Sequence, residues 1–183
     1  MAERATQALP SIADFKPDGI GDELIDMMRF DVESDGGTAR YLITQEGSRL
    51  AVTYGSEHLA PAERTNRYLD AAIGTERDAR VLPCYQACLE RKRPIYSIAL
   101  VQDVDGKDVS YERLLLPFGS AGDVEQIVGS YKTISVEGSF KVSNLMGLRP
   151  ENVPVSVINA VIDLELARRP PGVRIADDIV EVQ

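Results

Sequence analysis

Three successive runs between Pro94 and Val136 alternate in side-chain character with period two, and they constrain the chain more than any other feature. That period belongs to strands, whose side chains point to opposite faces in turn. In the first run Tyr96, Ile98 and Leu100 share one face and Ile95, Ala99 and Val101 the other, so the strand is expected to be covered on both sides. Asp105-Gly106 is a hairpin turn signal. The returning run, Val109 to Phe118, sets Tyr111, Arg113 and Leu115 against Glu112, Leu114 and Leu116. Beyond Gly119-Ser120-Ala121-Gly122-Asp123, a third run to Val136 places Ile127 and Tyr131 opposite Val128 and Ile134. The three runs form an antiparallel meander.

Upstream, residues 1–18 carry few apolar side chains and read as an N-terminal arm; residues 19–138 read as the domain, and 139–183 as a C-terminal extension. Asp22 to Met28 is predicted to form a short amphipathic helix with acids in its first turn. Phe30 to Glu33 and Tyr41 to Thr44 read as short strands around Gly36-Gly37. Leu50-Ala51-x-x-Tyr54 reads as a helical turn closing on Gly55. Pro61 to Ile73 is predicted as one helix, with Tyr68, Leu69, Ala72 and Ile73 on one face and Gly74 as its stop. A second helix follows, with Thr75 as its N-cap, a stripe of Val81, Leu82, Tyr85, Cys88 and Leu89, and a kink or split at Pro83. Within 150–168, the run Val155 to Asp163 is apolar at both the helical and the strand period; its β-branched residues favour a strand. The tail after Arg169-Pro170-Pro171-Gly172 is extended, and Val173, Ile175, Ile179 and Val180 are its apolar residues.

Length and composition suit one globular domain with decorated ends: 183 residues, 44% hydrophobic and 27% charged. No apolar run approaches the ~20 residues of a membrane span, and Met1 to Pro10 lacks a signal-peptide core, so a cytoplasmic protein is expected. A formal net charge of −9 argues against nucleic acid as a partner. The basic cluster Arg91-Lys92-Arg93 ends a helix, where cations complement the helix dipole. Cys84 and Cys88, four apart on a helix, read as reduced core thiols.

Chemistry is sparse. One histidine, His58 in a polar loop, removes most triad and metal options, and no phosphate-cradling or dinucleotide glycine motif is present. Carboxylates are too numerous for any pair to stand out, so no catalytic residue and no metal ligand is nominated. The tyrosines do stand out. Tyr41, Tyr68, Tyr85, Tyr96, Tyr111 and Tyr131 fall on apolar faces, either as core residues with satisfied hydroxyls or as the walls of a small-ligand pocket. Cys88, Ile98 and Arg113 join them as pocket candidates. Arg113, between Tyr111 and Leu115 on the central strand, must find a carboxylate, a ligand anion or open solvent.

Three stretches carry a resemblance: Leu9-Pro10-Ser11-x-x-Asp14-Phe15-x-Pro17, Ser48-Arg49-Leu50-x-x-x-Tyr54-Gly55, and above all Tyr111-Glu112-Arg113-Leu114-Leu115-Leu116-Pro117-Phe118. Over roughly residues 9–136 the chain resembles a bacterial family of stand-alone PAS-type proteins. The resemblance implies an α+β fold, a five-stranded antiparallel sheet with short helices packed on one face, and a cavity between them that holds a small ligand. It also implies a sensory or signal-transduction module, acting as a homodimer or through a signalling protein partner. No flavin-adduct motif is present, and His58 precedes the helix where a haem ligand is expected, so no cofactor is identified and haem and flavin are disfavoured. No output segment is recognised, which leaves any output to a partner. Two other readings remain: a small α+β enzyme moving a proton with a pocket Tyr or Asp, and a purely structural adaptor.

Overall fold

The computed structural model describes residues 8–16, 21, 23–120, 122–135, 138–146 and 153–163. The tail residues Val173, Ile175, Ile179 and Val180 lie outside them, as do most of the remaining terminal residues. Within the described chain, strands β1 (Met27–Asp35), β2 (Thr38–Glu46), β3 (Arg67–Tyr68), β4 (Ile95–Gln102), β5 (Asp108–Ser120), β6 (Asp123–Ser135) and β7 (Val155–Val161) form one antiparallel sheet. Its order is β3-β2-β1-β6-β5-β4-β7. The fold is therefore α+β, and the expected five strands become seven. The two additions to the five are edge strands, a two-residue pairing at one side and, at the other, β7, which forms where the β-branched run from Val155 favours a strand.

The meander forms as its alternation predicts, with Val101 opposite Val109 across the Asp105-Gly106 turn and Leu115 opposite Gly129 in the next hairpin. Asp103 fixes the first turn by accepting the amides of Asp105 and Lys107, and its other oxygen accepts the amide of Lys141. Those three bonds to the carboxylate hold it below its usual range. Closure of the sheet is non-local: β1 runs antiparallel to β6, with Met27 opposite Ser130.

Four helices lie between β2 and β4 in sequence: α1 (Ser48–Tyr54), α2 (Pro61–Arg64), α3 (Leu69–Ile73) and α4 (Thr75–Arg91). Gly55 closes α1 in the left-handed region at φ 72°, as expected of a C-terminal glycine. Four other expectations are corrected. The stretch 61–73 is two helices, because Asn66 turns left-handed at φ 57° and Arg67–Tyr68 pairs with β2 as a strand. Residues 24–26 make only a 3-10 turn before β1 begins at Met27. Gly74, not Thr75, is the N-cap of α4, and Pro83 does not split the helix, which is continuous from Thr75 to Arg91. Ala79 and Pro83 are both exposed, so water can take the carbonyl that the proline leaves without a donor.

The core lies between one face of the sheet and α1, α3 and α4. Phe30, Ile43, Leu115 and Ile127 from the strands meet Leu50, Leu69, Ile73, Val81 and Cys88 from the helices, all nearly or fully buried. The segment after β6 joins them. Asn144 and Met146 donate their amides to the carbonyls of Val52 and Thr53 on α1, which seats Leu145 and Met146 in the core.

Candidate functional site

Residues of β5 that face the helices are Val109, Tyr111, Arg113 and Leu115, while Ser110, Glu112, Leu114 and Leu116 face outward. The inner row carries the site. Tyr131 enters from β6, Tyr41 from β2, and Tyr85 from the buried stripe of α4, and the three converge with Tyr111 above the middle of the sheet. Phe30 meets Tyr85 edge-on at 5.2 Å between centroids, and Tyr41 lies at the same distance. Tyr85 and Tyr131 share a hydroxyl hydrogen bond of 2.6 Å, and Tyr41 donates to Gln86 Oε1 at 3.4 Å.

Tyr54, at the end of α1, completes the cluster, although the sequence places it on a helical turn and not among the pocket candidates. Its signal was present: it follows Leu50 by four positions on the buried side of a short helix. Burial pushes the hydroxyls of Tyr41, Tyr54, Tyr85, Tyr111 and Tyr131 up from their ordinary range, so all are neutral phenols at physiological pH. The hydroxyl of Tyr111 is buried and has no hydrogen bond of normal geometry among the described residues.

Arg113 lies in this cluster at 7% exposure. Its Nε donates to Ser97 Oγ at 3.1 Å, and its guanidinium carbon sits 5.3 Å from the centre of the Tyr85 ring. No carboxylate pairs with it among the described residues. Burial works against its charge. Cys84, Tyr85, Tyr131 and Tyr54 act the other way, and the balance holds the proton above the ordinary guanidinium value. The guanidinium is thus charged and lies among groups that supply dipoles rather than a counter-charge.

The other nominated residues lie elsewhere. Cys88 is buried under α4, and burial, reinforced by Cys84, pushes its thiol up to about 12. Tyr96 and Ile98 are half-buried on the outer face, away from the tyrosine cluster. Desolvation and the neighbouring Glu112 carboxylate raise the Tyr96 hydroxyl. Tyr68 is at the sheet edge, where it donates to Glu33 Oε2 at 2.6 Å under the Arg40 guanidinium, itself 3.3 Å from Asp70. His58 is exposed. Among the described residues no three His, Cys, Asp or Glu side chains converge to hold a metal, and no helix is long and apolar enough to cross a membrane.

Three grooves stand out among the described residues. One of about 170 Å³ runs between α4 and β7, with Cys84, Ile95 and Asn159 in its wall. A second, about 200 Å³, lies where Tyr96, Glu112 and Lys132 meet Glu23 and Asp26, and Arg113 and Tyr131 contribute to its wall. The third, also about 200 Å³, lies where Ile12 and Phe15 of the N-terminal segment approach Met27 and Val128. Compared with known protein families and with curated proteins, the chain matches none.

Proposed function

We propose that the chain is a PAS-type sensory module that takes a small ligand between helices and sheet and passes the event to a second copy through the outer face of the sheet. One observation carries this reading. The central strands β2-β1-β6-β5-β4 hold α1, α3 and α4 on one face only, and the helices converge on a polar cluster rather than a purely aliphatic core. That is the arrangement implied by the Tyr111-x-Arg113-Leu114-Leu115-Leu116-Pro117 resemblance. The opposite face offers half-buried Tyr96, Ile98, Leu114 and Leu116, with Ile134 46% exposed, as the apolar surface of a dimer. Ligand binding would bias the dimer only by fitting one arrangement of the sheet better than the other.

The inner tyrosines meet one another, Phe30, Gln86 and Arg113, which favours recognition over proton transfer by a Tyr–carboxylate pair. Native mass spectrometry with small-molecule extraction, paired with thermal shifts over a metabolite panel, tests the reading. The expected result is a bound or acquired small molecule with a raised melting temperature. A chain that is always empty and gives flat shifts overturns it.

A further inference from the structure

Arg113, Ser97 and Asn159 form one row across β5, β4 and β7, in register and on the helix-covered face. Since Nε of Arg113 reaches Ser97 Oγ, the side chain leans off its own strand toward β4 and the groove beyond. A guanidinium carries five N–H donors, and Nε–H uses one. The far end of the row is closed by Cys84 of α4, whose thiol donates to Asn159 Oδ1 at 3.2 Å. Cys84 and Asn159 belong to the wall of the groove between α4 and β7, whose apolar surface includes Pro83, Ala87 and Ile95, with Arg91 also beside it. Arg113 is not itself in the wall of this groove, but Cys84 is first among the groups that favour its charge, so an under-bonded guanidinium lies near the thiol–amide contact that ends the groove.

We propose that this groove binds a small carboxylate with a compact apolar body. The body lies against Pro83, Ala87 and Ile95, and the carboxylate displaces the Cys84–Asn159 contact, accepting from Arg113 and from the Asn159 amide. A bidentate guanidinium–carboxylate pair supplies the counter-charge that no side chain of the described chain provides. At about 170 Å³ the groove is close to the ~150 Å³ cavity that accepts benzene in another protein, which sets the body at about one ring. Arg91 adds long-range attraction for the same charge. This inference rests on the sensory reading and specifies the ligand class for it.

Sodium benzoate and its neutral analogue benzamide, titrated calorimetrically into the full chain at neutral pH, provide the test, with the Arg113 Nε–Hε resonance followed by NMR. Benzoate is expected to bind at least about tenfold more tightly than benzamide and to move that resonance. In Arg113→Met the preference disappears while benzamide still binds. Equal affinities in the wild type, no benzoate binding, or an undiminished preference in Arg113→Met each overturn the proposal. If Arg113→Met does not fold, Asn159→Leu, on the edge strand, fills the groove instead; loss of benzoate binding supports the proposal and unchanged binding overturns it. The two readings fail separately. A protein that ignores benzoate yet takes up a neutral molecule loses the carboxylate site and keeps the sensory role, whereas one that is always empty loses both.

Discussion

Gly129→Ala should be among the most damaging single-methyl additions to this protein. Gly129 of β6 faces the helices, between Met28 of β1 and Leu115 of β5. The Tyr131 ring folds back over it: a Cβ at Gly129 would sit 2.4 Å from Tyr131 Oη, 2.7 Å from Cζ and 2.8 Å from Cε2, where ordinary contact begins at 3.4 Å. The hydroxyl must therefore retreat by 1.0 Å (3.4 − 2.4). It has little room, because Tyr131 is 2% exposed, bonded to Tyr85 and packed on Tyr111. Overpacking of this kind costs about 1–3 kcal/mol, and loss of the buried hydroxyl bond about 1 kcal/mol more. Alanine recovers about 0.5–1 kcal/mol through the lower backbone entropy of the unfolded chain. The net is about 1–3.5 kcal/mol, a fall in Tm of roughly 2–14 °C for a chain of this size. Urea unfolding read by circular dichroism measures it, with the slope m unchanged. Tyr131→Phe removes the same hydroxyl bond, so Gly129→Ala/Tyr131→Phe should cost less than the two singles together. A loss below about 1 kcal/mol for Gly129→Ala, or strict additivity in the double variant, would refute the reasoning.

Two further tests probe buried ionisable groups. Glu46 accepts from Arg67 and Ser56, and its burial, against the pull of those partners, raises its carboxyl above the usual 4.5. The folded chain then binds the extra proton, so Glu46 contributes stability that is fully present below 4.5 and is lost as pH rises through the raised value. The urea-midpoint difference between wild type and Glu46→Gln should fall as pH rises from 4 toward 7, and a flat or rising difference counts against this burial. For the thiols, moving Cys88 from 9.0 to about 12 leaves about a thousandth of the thiolate at a given pH. Disulfide-exchange labelling of the folded protein at pH 8 should thus be slower than in denaturant by a factor on the order of 10³, and equal rates would refute the burial.

Much of the sheet could be read from the sequence because its inner face is sealed. Tyr111, Arg113 and Leu115 alternate against exposed or half-buried neighbours, and the Asp105-Gly106 turn fixes their register. Burial leaves a period only when one face is wet, so the sequence does not show which face of β4 meets the helices. Its apolar residues occupy both faces, and the structure turns Ser97 inward and Tyr96 outward, giving the Arg113 guanidinium an acceptor. The break at Asn66 was hidden for a different reason. The apolar spacing of 61–73 is concentrated in its last six residues, and a single left-handed residue leaves almost no compositional trace. Of the site, the inner tyrosines and Arg113 were legible as residues on apolar faces. Their convergence was not, since it depends on pairing between β1 and β6, which lie about a hundred positions apart.

That pairing also orders events in time. The β1–β2 hairpin and the β4–β5–β6 meander are each local, so either can form as soon as its own residues are available. The inner edge of β1, however, has no partner until Gln126 to Ser130 have been synthesised and have folded back. Until then Met28 and Phe30 sit on an open strand edge, the kind that pairs with the wrong neighbour. Joining these two halves is the step that carries the large loop-closure penalty, and it is where folding of this chain should be slowest and most exposed to aggregation.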